Sequence, residues 1–426
     1  MKTLAIVLFV LMYVLMISLK SKFRPFVACG TALIFLITGI LPWKNLGSAI
    51  DWNILMMIFG TVVIVDYFIQ SKMPNLIADK LLNISPNVMM VTIIMSLFSG
   101  IVSAFIDNVA TVYMIAPVGL AICKKLKISP VPMIISISVS SNLQGAATLV
   151  GDTTSIMLAA KNAADMDFMD FFWFHGRPGM FFAVECGALL TVPIMLVLFR
   201  KMKEPVSGDE KTVIKDYIPT IAMAGHIIFL IAASFIPNKP ETTNGIICLV
   251  WGIGCIVAEY IKTKDKETMI ENLKNVDYAT IFLLAGLFTV IGGITNQGII
   301  KDIAGFIVEV GGNNYFLLYS IIVWGSVLVS AFVDNIPYVA TMIPVVVGVA
   351  QQMGYKPYTL LFGLLIGATL GGNITPVGAS ANIAGTGLLR KAGYEVKFKD
   401  FMKIGLPFTL AAVIGGYVYV WFVLNF

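Results

Sequence analysis

Long apolar runs separated by short polar stretches set the pattern of this chain. Runs at 4–19, 26–42, 53–70, 179–199, 217–236, 244–261, 278–296 and 405–425 are essentially continuous. Each approaches the roughly 20 apolar residues that cross a hydrocarbon core as a helix. Four longer runs are interrupted: 88–122 at Asp107-Asn108, 131–163 at GAATLVGDTT, 315–350 at Asp334-Asn335, and 358–388 at GGNITPVGAS. No stretch shows the short alternating segments of a barrel. The pattern predicts an all-α polytopic membrane protein. The first run has only Lys2 ahead of it and no small-residue cleavage site before Lys20, so it is expected to be the first membrane helix and not a removed signal.

The interruptions occur in copies. Residues 103–118 read SAFIDNVATVYMIAPV and residues 330–345 read SAFVDNIPYVATMIPV, a shift of 227 without a gap. Gly145, Thr148, Val150, Gly151 and Ile156 fall opposite Gly372, Thr375, Val377, Gly378 and Ile383 at the same shift, and Asp51 and Gly60 fall opposite Asp277 and Gly286 at 226. Each half is therefore one unit, 1–199 and 217–426, joined by the polar linker 200–216. The runs 88–122 and 315–350 are expected to be re-entrant hairpins, because fragment 109–122 is short for a span. The runs 131–163 and 358–388 are expected to be single helices broken mid-membrane.

Counting lysines and arginines on this plan places 22 on one side and 7 on the other (Lys2, Lys44, Lys161, Arg177, Lys239, Lys301, Lys356). Treating each broken helix as two full crossings gives 18 against 11, so the positive-inside rule favours the first plan, with both termini outside. Five crossings then separate equivalent spans, and an odd number inverts the second half. The expected architecture is an inverted repeat of about five transmembrane helices plus one re-entrant hairpin per half, in the cell (inner or plasma) membrane. Inverted repeats with helices broken at mid-depth recur in secondary transporters.

Composition agrees with that class: 58% hydrophobic and 12% charged residues, with mean hydropathy +0.89, lie outside the range of soluble domains. The net charge of +5 sits in loops and is not a nucleic-acid signal. Five cysteines without CxxC spacing and two isolated histidines, His175 and His226, suggest no metal centre. Trp43, Trp52, Trp173 and Trp421 near span ends fit an aromatic belt.

Candidate chemistry concentrates at the breaks. Non-helical backbone survives at membrane depth only where it lines a cavity or is buried in protein, so four matched breaks should converge on one polar centre. A carboxylate there costs about 2.5–3.5 kcal/mol even on the lenient insertion scale. The first half offers Asp107, Asn108, Thr111, Asn142, Gln144, Thr148, Gly151, Asp152, Thr153, Thr154 and Ser155. The second offers Asp334, Asn335, Thr341, Asn373, Thr375, Gly378, Ser380 and Asn382. The fixed charges among them are all acidic. Half-helix N-termini suit an anion, while carbonyl, carboxylate and amide oxygens suit Na⁺ or H⁺, with Na⁺ expected near Asp107, Asn108, Asp334 and Asn335. Asp152 has Ala379 opposite it and breaks the symmetry, either as an ion site or as the N-cap of 153–163. Asp66 and Glu185 lie in spans without repeat partners. No GxxxxGK[ST] loop is present, so an ATP-driven activity would need a separate ATPase partner.

The segments SAFIDNVAT, DNIPYVATMIP, TLVGDTTSIML and GGNITPVGASANIAGTGLLRKAGYEVKFKDFMKIGLPFTL resemble the ion transporter superfamily. Within it the resemblance is to the citrate-transporter-like branch with the arsenite pumps and the melanosomal P-protein, and more loosely to the dicarboxylate/sodium symporters. The resemblance implies a scaffold (4–70 and 217–296), transport elements (88–199 and 315–425), a homodimer and elevator-type alternating access. It places the hairpin tips at Asp107-Asn108 and Asp334-Asn335 and the broken-helix loops at 148–155 and 375–382. This chain departs from the symporters, which carry Ser-Asn-Thr at the tips, and from the P-protein branch, where GDPPN stands in place of Gly151-Asp152-Thr153-Thr154-Ser155. The expected function is secondary transport of a small anion or oxyanion, carboxylate- or arsenite-like, coupled to H⁺ or Na⁺, with no cofactor and no enzymatic step. A Na⁺/H⁺ antiporter is the alternative, since paired acids with amides also bind Na⁺ in competition with protons. An intramembrane aspartyl hydrolase is a distant third, because Leu149 stands where its GxGD motif needs glycine.

Overall fold

The computed structural model describes all residues except 20, 74, 75, 77–79, 81–84, 206–212, 215, 265, 267–269, 271, 272, 275 and 313; the middle of the linker 200–216 thus lies outside the described residues. The first half comprises α1 (Lys2–Ser18), α2 (Arg24–Ile37), α3 (Trp52–Gln70), α4 (Val88–Ser103), α5 (Asn108–Leu126), α6 (Val131–Gly145), α7 (Thr153–Leu158) and α8 (Met180–Phe199). The second comprises α9 (Ile218–Ser234), α10 (Thr243–Thr263), α11 (Tyr278–Asn296), α12 (Ile299–Gly311), α13 (Tyr315–Ser330), α14 (Asn335–Met353), α15 (Tyr358–Leu365), α16 (Ser380–Lys391) and α17 (Phe398–Val423). Six of these are long and apolar enough to cross a membrane alone, or up to seven spans if the bent pair α12–α13 is one.

Matched caps start matched helices. Asp51 and Asp277 accept the N–H groups of Ile54 (3.1 Å) and Thr280 (3.0 Å), and Asn87 and Asn314 accept those of Met90 and Leu317, both at 3.0 Å. Each satisfies one of the four N–H groups that a helix start leaves free.

The halves interlock reciprocally. α3 packs along α10, and its counterpart α11 packs along α2, the counterpart of α10. Equivalent glycines make both crossings close: a Cβ on Gly60 would collide with the backbone of Cys248, and one on Gly286 would lie 2.7 Å from the backbone of Ala28 and Cys29. Small residues at helix crossings are how membrane helices gain van der Waals contact where no hydrophobic drive exists. The same exchange joins the other elements, with α16 on α5 and α7 on α14.

Loop contacts sort the helix ends onto two faces. Val88 and Met89 donate N–H to the carbonyls of Glu204 (3.0 Å) and Met202 (2.9 Å), so hairpin α4–α5 opens beside the exit of α8. At the other end of α8, Arg177 Nη1 donates to the carbonyls of Val423 (3.0 Å) and Asn425 (2.8 Å) at the exit of α17. There Phe316 lies against Trp421, ring centroids 4.7 Å apart, at the entry to α13. The two hairpins therefore enter from opposite faces, which is the inverted arrangement. The second face also gathers Lys2 with Asp302 and Lys239 with Asp167. Among the described residues it holds Lys2, Lys44, Lys161, Arg177, Lys239, Lys301 and Lys356, the smaller basic set, so the positive-inside rule favours the other face as the cytoplasmic one.

Three expectations are corrected in detail. The second span stops at Ile37, where the chain turns through Gly39 at φ 73°, so α2 is about 21 Å long. The helix after the first break covers Thr153–Leu158 and not 153–163; from there the chain runs into a small antiparallel pair, β1 (Trp173–Phe174) with β2 (Arg177–Pro178). α12 was not foreseen. It buries Ile299, Ile300 and Ala304 and bends 117° from α13, packing against α14.

Candidate functional site

The turns between α4 and α5 and between α13 and α14 are fastened to the helix breaks in the same way in both halves. The hydroxyl of Thr148 donates to the carbonyl of Ala104, and the hydroxyl of Thr375 to that of Ala331. Gly151 and Gly378 complete the joint. A Cβ on Gly151 would lie 2.6 Å from the Ser103 carbonyl oxygen, and one on Gly378 2.6 Å from that of Ser330. These four residues hold tip against break, a structural role read directly from the contacts.

Each tip aspartate starts the second arm of its hairpin. Asp107 Oδ1 accepts the N–H groups of Val109 (3.0 Å) and Ala110 (3.1 Å), and Asp334 Oδ1 accepts that of Ile336 (3.2 Å). The second oxygens differ. Asp334 Oδ2 accepts from Ser380 Oγ (2.9 Å) and from Arg24 Nη1 (2.8 Å), while Asp107 Oδ2 has no partner among the described residues.

From the tip asparagines a continuous polar chain crosses between the halves. Asn108 Nδ2 donates to Asn142 Oδ1 (3.0 Å); Asn142 Nδ2 donates to the Thr369 carbonyl (2.7 Å) and to Asn373 Oδ1 (3.0 Å); Asn373 donates to the Val139 carbonyl (2.9 Å). A π-helical turn over Ile366–Leu370 follows α15, and such turns release carbonyls that an α-helix would use internally. From Thr369 the hydroxyl meets Thr154 Oγ1 at 3.0 Å. Thr154 donates to Asp152 Oδ2 (2.8 Å), which also accepts from Asn335 Nδ2 (3.4 Å). Tip one is thus linked to tip two through both breaks. Asn108, Asn142, Asp152, Thr154, Asp334, Asn335, Thr369 and Asn373 are all buried. Asp152 lies within electrostatic reach of both Asp107 and Asp334.

The remaining candidates separate by what they touch. Asn382 donates to the Gly372 and Thr375 carbonyls, both at 3.1 Å, and so shapes the second break. Thr111 Oγ1 reaches only the Ile106 carbonyl at 3.5 Å. Thr153 is buried at the start of α7. Thr341 meets the hydroxyl of Tyr13. Asp152 makes no side-chain cap on α7, so its carboxylate serves the polar chain. Ser155 Oγ and Asn382 Oδ1, equivalent at a shift of 227, are both buried without a partner among the described residues, as is Gln144 Oε1. Away from the centre, Asp66 accepts from Gln70 one turn along α3 (3.0 Å).

Three contributors were missed from sequence. Arg24 opens a span and counts as an ordinary flanking charge; its contact with Asp334, 310 residues later, exists only in the folded chain. It also corrects the expectation that the fixed charges at the centre are all acidic. Tyr13 and the Thr369 turn carried no local signal either.

Between α3, α7, α11 and α14 a cavity of about 760 Å³ opens toward the face with fewer basic residues, with Asp51, Asn162, Lys301 and Gln352 among its lining. It extends along α14 to Ala340, some five residues, or about 7.5 Å, from Asn335.

The model of the citrate transporter family matches residues 11–367. An uncharacterized transporter of Mycobacterium tuberculosis is 30% identical over 99% of this chain and 98% of its own length. The human P protein is 23% identical over 90% of this chain and 54% of its own. Among solved structures, the YdaH transporter of Alcanivorax borkumensis superposes with a TM-score of 0.59, covering 91% of this chain and 88% of that one at 15% identity, a likeness of fold. With a family match across most of its length and a duplicated, broken-helix membrane fold, this chain is a transporter that belongs to the citrate transporter family.

Proposed function

We propose that the protein is a secondary active transporter of a small anion or oxyanion, carboxylate- or arsenite-like, coupled to H⁺ or Na⁺. The observation that carries this reading is the buried polar chain from Asn108 through Asn142, Thr369, Thr154 and Asp152 to Asn335. It ties together two hairpin tips that enter from opposite faces, so an ion bound at either tip is felt at the other. The Ser155 and Asn382 oxygens, unpartnered among the described residues, are suited to a coupling cation together with the half-buried Asp107 carboxylate, and the start of α16 at Ser380 offers N–H groups to an anion. Helices α1–α3 and α9–α11 act as scaffold and the hairpins with the broken helices as the moving unit, in a homodimer without a cofactor. Asp334 lies against Arg24, and Asp107 within electrostatic reach of Asp277, at the basic-face ends of α2 and α11.

Proteoliposome flux tests the reading. Uptake of a carboxylate or of arsenite above its equilibrium level, driven by an imposed Na⁺ or H⁺ gradient, is expected. Na⁺/H⁺ exchange with no anion moving would replace it by the antiporter reading, which three acids at the centre, buried Asp152 and Asp334 and half-buried Asp107, against one arginine favour.

A further inference from the structure

Two side chains from the first helices reach across to the second hairpin tip. Arg24, the first residue of α2, donates from Nη1 to Asp334 Oδ2 at 2.8 Å and from Nε to the Met16 carbonyl at 3.3 Å. Tyr13 on α1 donates to the Pro337 carbonyl at 2.6 Å and meets Thr341 on α14. The ion pair is largely out of water, with side chains 17% and 5% exposed, where leaving one charge without its partner is costly. No basic partner faces Asp107 at the equivalent first tip among the described residues. Arg24 from α2 and Ser380 from α16 meet Asp334 directly; further along α14, Tyr13 from α1 meets Pro337 and Thr341 and the Tyr338 hydroxyl meets Ser326, and Asp152 lies beyond Asn335. A guanidinium does not lose its proton in a protein, so the only charge at this contact that an ion can cancel is that of Asp334.

We propose that Arg24 is a positioning residue that clasps the second tip to α1 and α2 while Asp334 is charged and holds neither a proton nor Na⁺. The moving unit leaves this position only after a proton or Na⁺ has taken the place of Arg24 on the carboxylate. The clasp would forbid empty slippage and so enforce coupling. It rests on the transport reading given above, but it makes a claim that needs no substrate to test.

In a background lacking the five native cysteines, Tyr13→Cys and Thr341→Cys are joined by a short bifunctional maleimide in liposomes without any anion substrate. The parent pair should cross-link well without Na⁺ at neutral pH, and less well when Na⁺ is added or the pH is lowered. With Arg24→Gln added, the yield should fall to the ion-loaded level with no ion present; with Arg24→Lys, which keeps the charge, ion dependence should persist. A parent yield insensitive to both ions, an Arg24→Gln yield equal to the parent's, or an Arg24→Lys variant that behaves as Arg24→Gln would each overturn the clasp. Failure of anion flux alone would leave this readout standing.

Discussion

At the scale of residues, Asn142 is the node of the site. Its amide uses both donors and its oxygen, on Thr369, Asn373 and Asn108. Replacing it by alanine strands three buried polar groups, each costing about 1–3 kcal/mol when unmet. Asn142→Ala should therefore lower stability by about 3 kcal/mol or more and abolish transport. A thermal melt of the purified protein reads the first effect; an unchanged melting temperature would show that the node is not closed as described. The sequence marked Asn142 as a candidate because it lies beside a break. It did not mark Thr369 or Tyr13, because a threonine or tyrosine in an apolar run has no pattern of its own, and the backbone carbonyl that Asn142 uses is exposed by a π-turn that propensities do not signal. Arg24 was hidden differently: its charge was visible, and its partner was not.

At the scale of elements, the hairpins and broken helices were legible because polar pairs inside apolar runs, repeated at 227, leave little else for the chain to do. Helix ends were less legible. α7 stops at Leu158 because the chain after it folds back into turns, with Ala164 donating to the Leu158 carbonyl at 3.0 Å, and nothing in the apolar pattern announces that. α12 mixes Lys301, Asp302 and Glu309 with apolar residues, so a search for uninterrupted runs passes over it. The joints between tips and breaks make a symmetric prediction. Gly151→Ala and Gly378→Ala should destabilise to a similar degree, by about 1–3 kcal/mol each from overpacking, whereas Gly30→Ala, with nothing within 4 Å of its new methyl group, should not. Melting temperatures of the three variants decide it; loss at only one of the two equivalent glycines would contradict equal joints.

At the scale of the whole molecule, inversion was inferred from counting crossings and basic residues, and the loop contacts at the two ends of α8 place the hairpins on opposite faces. Sidedness has a direct consequence. In the cysteine-free background, Lys44→Cys and Lys356→Cys should react with a membrane-impermeant maleimide on intact cells, and Lys391→Cys only after permeabilisation; the reverse pattern would turn the molecule over. The central claim is that the joined tips are where ion and substrate are coupled. Gradient-driven uptake in proteoliposomes, compared between the wild type and Asp334→Asn at equal amounts of folded protein, tests that most directly. Uphill uptake in the wild type and none in Asp334→Asn is the predicted result, and uphill uptake of equal extent in both would contradict it.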